Sequence, residues 1–298
     1  WEEAASLYER LLETHKGNAE IEMRYGVLVA VTTEFARGRA LMDQALEKAP
    51  ELKSLYINEL TRLAGLYTEA GNHAFAEAIY WEVASLSPED PEHIIHLADM
   101  LAARGETEKA LEQYSLVLKR KPESPYSADR IDALLKKNKT TEEQLHYWEE
   151  ARNLHPMAVV PALFLARAYE GAGRWVEALT MYHCILDNHP EHPETLMRYG
   201  TLTAMNVDFD QGYSMMDQAL AAEPELKSLY EAGLARIADA RAESGDHAAA
   251  VTASEKLSAM ALEDLGRLVT LADALMAAGR KEEAADRYKE VLRKAPDS

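Results

Sequence analysis

Met42-Asp43-Gln44-Ala45-Leu46, followed after three residues by Pro50-Glu51-Leu52-Lys53-Ser54-Leu55-Tyr56, returns 174 residues later. The second copy reads Met216-Asp217-Gln218-Ala219-Leu220 and Pro224-Glu225-Leu226-Lys227-Ser228-Leu229-Tyr230. Outward from this stretch the match continues without a gap, so that residues 1–124 align with 175–298, and Met23-Arg24-Tyr25-Gly26 reappears as Met197-Arg198-Tyr199-Gly200. About 50 of the 124 aligned pairs are identical, which marks an internal duplication. Repetition on this scale decides architecture before residue chemistry does, because each unit must bury its apolar face on a neighbour.

Inside the duplicated unit lies a shorter period of 34 residues. Gly71, Gly105, Gly173, Gly245 and Gly279 recur at one point of it, and Pro50, Pro88, Pro122, Pro156, Pro190, Pro224 and Pro296 at another. Glycine adopts the left-handed conformation that closes one helix, and proline cannot continue the next, so each period encodes two helices. Residues 159–192 show the side-chain logic. Leu165, Ala166 and Tyr169 fall on one face of the first helix, and Ala178, Tyr182 and Ile185 on one face of the second. The small pair Ala166 and Ala178 lets these helices approach, while the tyrosines fill the space between successive pairs.

With these residues in place the chain resembles the tetratricopeptide repeat (TPR) family. The family pattern is carried by Leu97-Ala98, Leu101, Ala110, Tyr114, Val117 and Pro122, and again by Leu271-Ala272, Leu275, Ala284, Tyr288, Val291 and Pro296. The expected fold is all-α. The resemblance implies a right-handed superhelical solenoid of antiparallel helix pairs whose first helices line a concave groove. The register gives one array over residues 1–298: a half repeat at 1–18, then 19–52, 57–90, 91–124, 125–158, 159–192, 193–226, 231–264 and 265–298. Trp1, Ala4, Tyr8 and Leu11 of the half repeat stand at the positions of Trp175, Ala178, Tyr182 and Ile185. Four-residue insertions, Lys53-Ser54-Leu55-Tyr56 and Lys227-Ser228-Leu229-Tyr230, turn five 34-residue repeats into the 174-residue unit. Repeat 125–158 departs most from the pattern, with Asp132 in place of a small residue and Lys139 in place of the turn glycine, and is expected to be the loosest.

Composition narrows the function. With 32 basic and 51 acidic residues the net charge is -19, which opposes nucleic acid and anionic membranes as partners. The longest uncharged apolar stretch, Met157–Ala166, is interrupted by Pro161 and is too short to span a bilayer. No targeting signal precedes the first helical pattern. Cytoplasm and bacterial periplasm both remain open. One cysteine, Cys184, excludes an intramolecular disulfide and a cysteine-rich zinc module, and it reads as a small buried hydrophobe.

The groove implied by the resemblance places repeat position 6 inward. Along the chain that position holds Arg24, Arg62, His96, Arg130, Phe164, Arg198, Arg236 and Thr270. A row of guanidinium forks suits carboxylates and peptide carbonyls. The competing reading is local pairing: Glu20 and Glu194 precede Arg24 and Arg198 by four residues, and Asp239 follows Arg236 by three. The insertions lengthen a first helix by about one turn, near 6 Å. Lys53, Tyr56, Lys227 and Tyr230 mark a ledge for a partner or, as their apolar neighbours favour, altered packing between repeats. His93, His96 and Asp99, and His183, His189 and His192, are spaced too weakly for a metal centre and read as solvated histidines. No catalytic set and no phosphate loop is present, so neither enzyme activity nor a cofactor is expected.

These readings converge on a scaffold or adaptor that binds a protein or peptide on its first-helix groove. The alternative is the TPR arm of a larger bacterial polysaccharide export or secretion protein or of a glycosyltransferase, recruiting an enzyme or guiding an anionic polymer. At the ends, exposed faces around Trp1, Leu7 and Leu11 and around Tyr288 and Leu292 lead to the expectation of end-to-end self-association or of continuation into further repeats.

Overall fold

Helix-forming stretches punctuated by glycine and proline become, in the computed structural model, an all-α protein; the structure describes residues 2–260 and 264–294. Among those residues there are seventeen α-helices, two single turns of 3-10 helix and no strand. Trp1 and Pro296 lie outside the described residues. The chain divides into two compact units, 1–144 and 145–298, and the division falls inside residues 125–158.

The first unit contains α1 (Glu2–Thr14), α2 (Ala19–Thr32), α3 (Phe35–Lys48), α4 (Lys53–Glu69), α5 (His73–Leu86), α6 (Pro91–Ala103), α7 (Thr107–Arg120) and α8 (Pro125–Asn138). The α9 helix (Thr141–Leu154) begins here and runs on into the second unit. Helices pack as α2 on α3, α4 on α5 and α6 on α7, and the first helices α2 and α4 also lie against each other. Leu60, Leu63, Ile79, Leu97, Leu101 and Tyr114 are fully buried between them. In the second unit follow α10 (Val159–Gly171), α11 (Trp175–Asn188), α12 (Pro193–Asn206), α13 (Phe209–Ala222), α14 (Lys227–Glu243), α15 (His247–Met260), α16 (Leu265–Ala277) and α17 (Lys281–Lys294). Successive pairs pack here in the same way, and α12 lies against α14. Trp148, Tyr182 and Tyr230 are its largest buried side chains.

Local chemistry explains the boundaries. Asn18, Asp90 and Ser124 accept first-turn N–H groups of α2, α6 and α8, and His192, Asp208 and Asp264 do so for α12, α13 and α16. Pro91, Pro125 and Pro193 stand in first turns where no N–H is needed. Gly71, Gly105, Gly173, Gly245 and Gly279 close first helices with φ between +72° and +83°, a region costly for side chains with a Cβ.

Three helix pairs break that rule: Lys139 closes α8 at φ of -127°, and the other two replace the rule with another. Thr33 and Val207 close α2 and α12 at φ of -124° and -123°, with no glycine at the turn. Glycine has moved into the helix contact instead. A Cβ on Gly38 would stand 2.2 Å from the Ala30 nitrogen, and one on Gly212 would stand 2.2 Å from the Ala204 nitrogen. Gly26 and Gly200 face them, so backbone meets backbone across α2–α3 and across α12–α13.

The insertions sit at the start of a first helix, as the sequence placed them. A 3-10 turn, Pro50–Leu52 or Pro224–Leu226, leads into α4 or α14, each 17 residues long where other first helices have 13 or 14.

Candidate functional site

Because α2 and α4 lie side by side, Arg24 and Arg62 are brought onto neighbouring first helices, and the carboxylate of Glu59 lies between them. Arg24 donates from Nη1 to Glu59 Oε1 at 3.1 Å, and Arg62 donates from Nε to Glu59 Oε2 at 2.8 Å. Glu20 accepts from Arg24 Nε at 3.2 Å, the local pair read from the sequence. The Glu59 side chain is only 6% exposed, whereas Arg24 and Arg62 are 40% and 50% exposed. Both guanidinium groups therefore hold a buried anion on one side and meet solvent on the other.

The second unit repeats the arrangement with different parts. Arg198 and Arg236 occupy α12 and α14, again side by side, and the carboxylate between them belongs to Glu170 at the end of α10. Arg236 donates to Glu170, Arg198 approaches it at 3.8 Å, and Tyr182 donates its hydroxyl to Glu170 Oε2 at 2.8 Å. Glu194 pairs with Arg198 at 2.8 Å, as its spacing implied. Asp239, the local partner expected for Arg236, is exposed, and Glu170 takes its place. Trp175 lies under the Arg236 guanidinium, 6.0 Å from ring centre to carbon.

Other position 6 residues have individual surroundings. His96 stacks on Tyr80 with centroids 6.0 Å apart. Arg130 receives no buried carboxylate: it donates to the Tyr126 hydroxyl at 3.1 and 3.0 Å, and Asp99 lies 3.6 Å away. Phe164 packs on Trp148 inside the second unit. Asp99 also accepts from the hydroxyls of Tyr114 and Tyr126.

Of the insertion residues, Lys53 and Lys227 are exposed, and Lys227 approaches Glu231 at 3.8 Å. Tyr56 and Tyr230 are buried. Tyr56 donates to Asp43 at 2.5 Å and accepts from Arg39 at 2.8 Å, while Arg39 forks onto Glu82 at 2.8 and 2.9 Å. Tyr230 donates to Asp217, the equivalent of Asp43. There the equivalents of Arg39 and Glu82 are Tyr213 and Lys256, and Lys256 lies 5.5 Å from the Tyr213 ring. Burial, and then the carboxylate that accepts their hydroxyls, pushes both phenols well above the ordinary tyrosine range.

Cys184 differs from its sequence reading. It is exposed, because α11 buries the stripe Ala178, Tyr182 and Ile185 and Cys184 lies off that stripe; it borders a cleft of about 310 Å³ with Met157, Val159 and Met181. Among the described residues no group of three or more His, Cys, Asp or Glu is arranged to hold a metal ion, and no helix is long and apolar enough to cross a membrane. The pairings of Arg24 with Glu59 and of Arg236 with Glu170 escaped the sequence reading, since they span 35 and 66 residues, whereas Glu59 and Arg62, three residues apart on α4, carry a local signal that could have found that pair.

Comparison with known proteins adds a family. Models of the tetratricopeptide repeat match residues 162–194 and 268–298. No curated protein matches the chain. Among solved structures it is similar to MamA 41-end from Desulfovibrio magneticus RS-1, with 20% identity over 57% of this chain and 96% of that one and a TM-score of 0.39. It is similar also to YrrB, described as a TPR protein with an unusual peptide-binding site, with 16% identity, 61% and 92% coverage and a TM-score of 0.37. A chain of Naa15/Naa10 bound to HypK-THB gives 18% identity over 94% of this chain and 42% of that one, with a TM-score of 0.41. With two segments matched in sequence, inside a chain whose described residues form packed helix pairs, the protein carries tetratricopeptide repeats.

Proposed function

We propose that the protein is a non-catalytic scaffold that binds a peptide or helix of a partner protein on the faces formed by its first helices. TPR repeats serve protein interaction in general, and the observation that supports a first-helix site in this chain is the arginine pair on adjacent first helices of each unit, half-exposed at Arg24, Arg62 and Arg236 and more enclosed at Arg198. Guanidinium groups held by a carboxylate on one side keep a fixed orientation, so a ligand binding the other side loses less side-chain freedom. Peptides carrying Asp or Glu fit these positions best, despite the chain's net charge of -19, because screening over about 8 Å at physiological salt lets the nearest charges dominate.

The test compares capture of partners by the wild-type chain and by a variant with Arg24, Arg62, Arg198 and Arg236 changed to Gln, helicity being checked by circular dichroism. Selective loss of captured protein with the fold retained is the expected result. Equal capture by both chains would remove the first-helix face as the site, and selective loss of an acidic polysaccharide would replace the protein partner with a polymer.

A further inference from the structure

The duplication is informative because its two halves have diverged. Arg24 and Arg62 in the first unit are the same residues, at the same offset, as Arg198 and Arg236 in the second. The anion between them is not. Position 233, equivalent to Glu59, is Gly233, where even a Cβ would lie 2.7 Å from Thr201 Oγ1 and 2.9 Å from Met216 Cε, so a carboxylate side chain there would force Thr201 and Met216 to shift. Glu170, which serves the second pair, precedes the duplicated segment altogether. Two unrelated positions on two different helices have thus come to deliver a carboxylate to the same arginine pair. In both units the carboxylate is enclosed, with Glu59 6% and Glu170 10% exposed, while guanidinium remains accessible, on Arg24 and Arg62 at 40% and 50% in the first and on Arg236 at 39% in the second.

We infer that each arginine pair is a carboxylate-binding site, present twice in the chain, and that Glu59 and Glu170 are internal occupants standing in for a Glu or Asp side chain of the partner. The inference rests on the first-helix reading above and adds to it the ligand group, the number of sites and a means of regulation. Chemistry supports a carboxylate over a bulkier anion: each internal occupant divides its two oxygens between two donors, Arg24 and Arg62 for Glu59, Arg236 and Tyr182 for Glu170. An internal occupant lowers apparent affinity by the fraction of chains in which the arginines are vacant, so neutralising it without changing its shape should tighten binding.

The experiment uses the full chain and its E59Q and E170Q variants. The probes are a labelled peptide with four consecutive glutamates and the same peptide with four glutamines, read by fluorescence anisotropy. Each Glu→Gln change should tighten binding of the glutamate peptide by on the order of tenfold and leave the glutamine peptide unchanged. Adding Arg62→Gln to E59Q, or Arg236→Gln to E170Q, should abolish the gain. Unchanged or weaker binding of the glutamate peptide, or loss of helical signal in either variant, would assign the carboxylates to structure alone and overturn the inference. If the wild-type chain binds the glutamate peptide and the variants bind it no better, the inference fails while the first-helix reading stands. Absence of binding to every variant removes both.

Discussion

At the scale of single residues, divergence has changed side chains while keeping the bonds they make. Tyr67 donates to the Ala30 carbonyl at 2.6 Å, and its equivalent Arg241 donates from Nε to the equivalent carbonyl of Ala204 at 2.7 Å. The phenols extend this pattern. Tyr114 and Tyr182 are buried and donate to Asp99 and Glu170, and burial first, then the neighbouring carboxylate, raises both well above the ordinary value of about 10. A raised phenol favours the protonated form in the folded state, so the folded chain binds more protons than the unfolded one once pH exceeds about 10. Stability should hold below that pH and fall as pH rises from the unfolded phenol value towards the folded ones. Tyrosinate absorbance followed together with helical signal checks this: the buried phenols should ionise only as the helices melt. Early ionisation of Tyr182, identified by its loss in Tyr182→Phe, would contradict it.

At the scale of the element, close contact separates glycines that can be replaced from those that cannot. Gly38→Ala and Gly212→Ala should each cost at least 1–3 kcal/mol, roughly the range for overpacking, because the added methyl meets backbone that cannot retreat. Gly171→Ala, in open space at the end of α10 and without positive φ, should be neutral or stabilise by about 0.4–1 kcal/mol. Denaturant midpoints compare the three, and equal midpoints would contradict the contact. Ala98→Leu and Ala272→Leu, both at fully buried positions, should lose about 1–3 kcal/mol for the same reason. A melting temperature equal to the parent's would show that these alanines do not sit at a tight contact.

The same contrast explains what was legible in sequence. Ala98, Ala166, Ala178 and Ala272 are fully buried, and the five turn glycines have positive φ, because helix spacing and chain reversal leave a local signature. The local pairs of Arg24 with Glu20 and of Arg198 with Glu194 were readable for the same reason. The pairs of Arg24 with Glu59, of Arg236 with Glu170 and of Arg39 with Glu82 were not, since they depend on which helices become neighbours in space; only Glu59 with Arg62, three residues apart on α4, had a local signature. Cys184 reads as buried by residue type, yet its place off the buried stripe of α11 leaves it exposed.

For the whole molecule, a repeat array gains stability by addition: each pair contributes its own packing and that of its nearest neighbours, and a contact that skips a pair, such as Arg236 on α14 with Glu170 on α10, is the exception. The second unit encloses its own core of Trp148, Tyr182, Met197, Met216, Tyr230 and Ile237, and its arginine pair is met by a carboxylate from the same unit. A fragment of residues 141–298, which keeps α9 intact, should therefore be helical and unfold cooperatively. Its urea dependence should be about half as steep as the whole chain's, because that slope scales with the surface exposed on unfolding. If repeats couple only to their neighbours, Gly212→Ala should shift the fragment's midpoint as it shifts the corresponding transition of the whole chain, whereas Gly38→Ala in the whole chain should leave that transition in place. A fragment that is largely unfolded, or a whole chain in which both substitutions move one common transition equally, would show that the array folds as a single unit across residue 144.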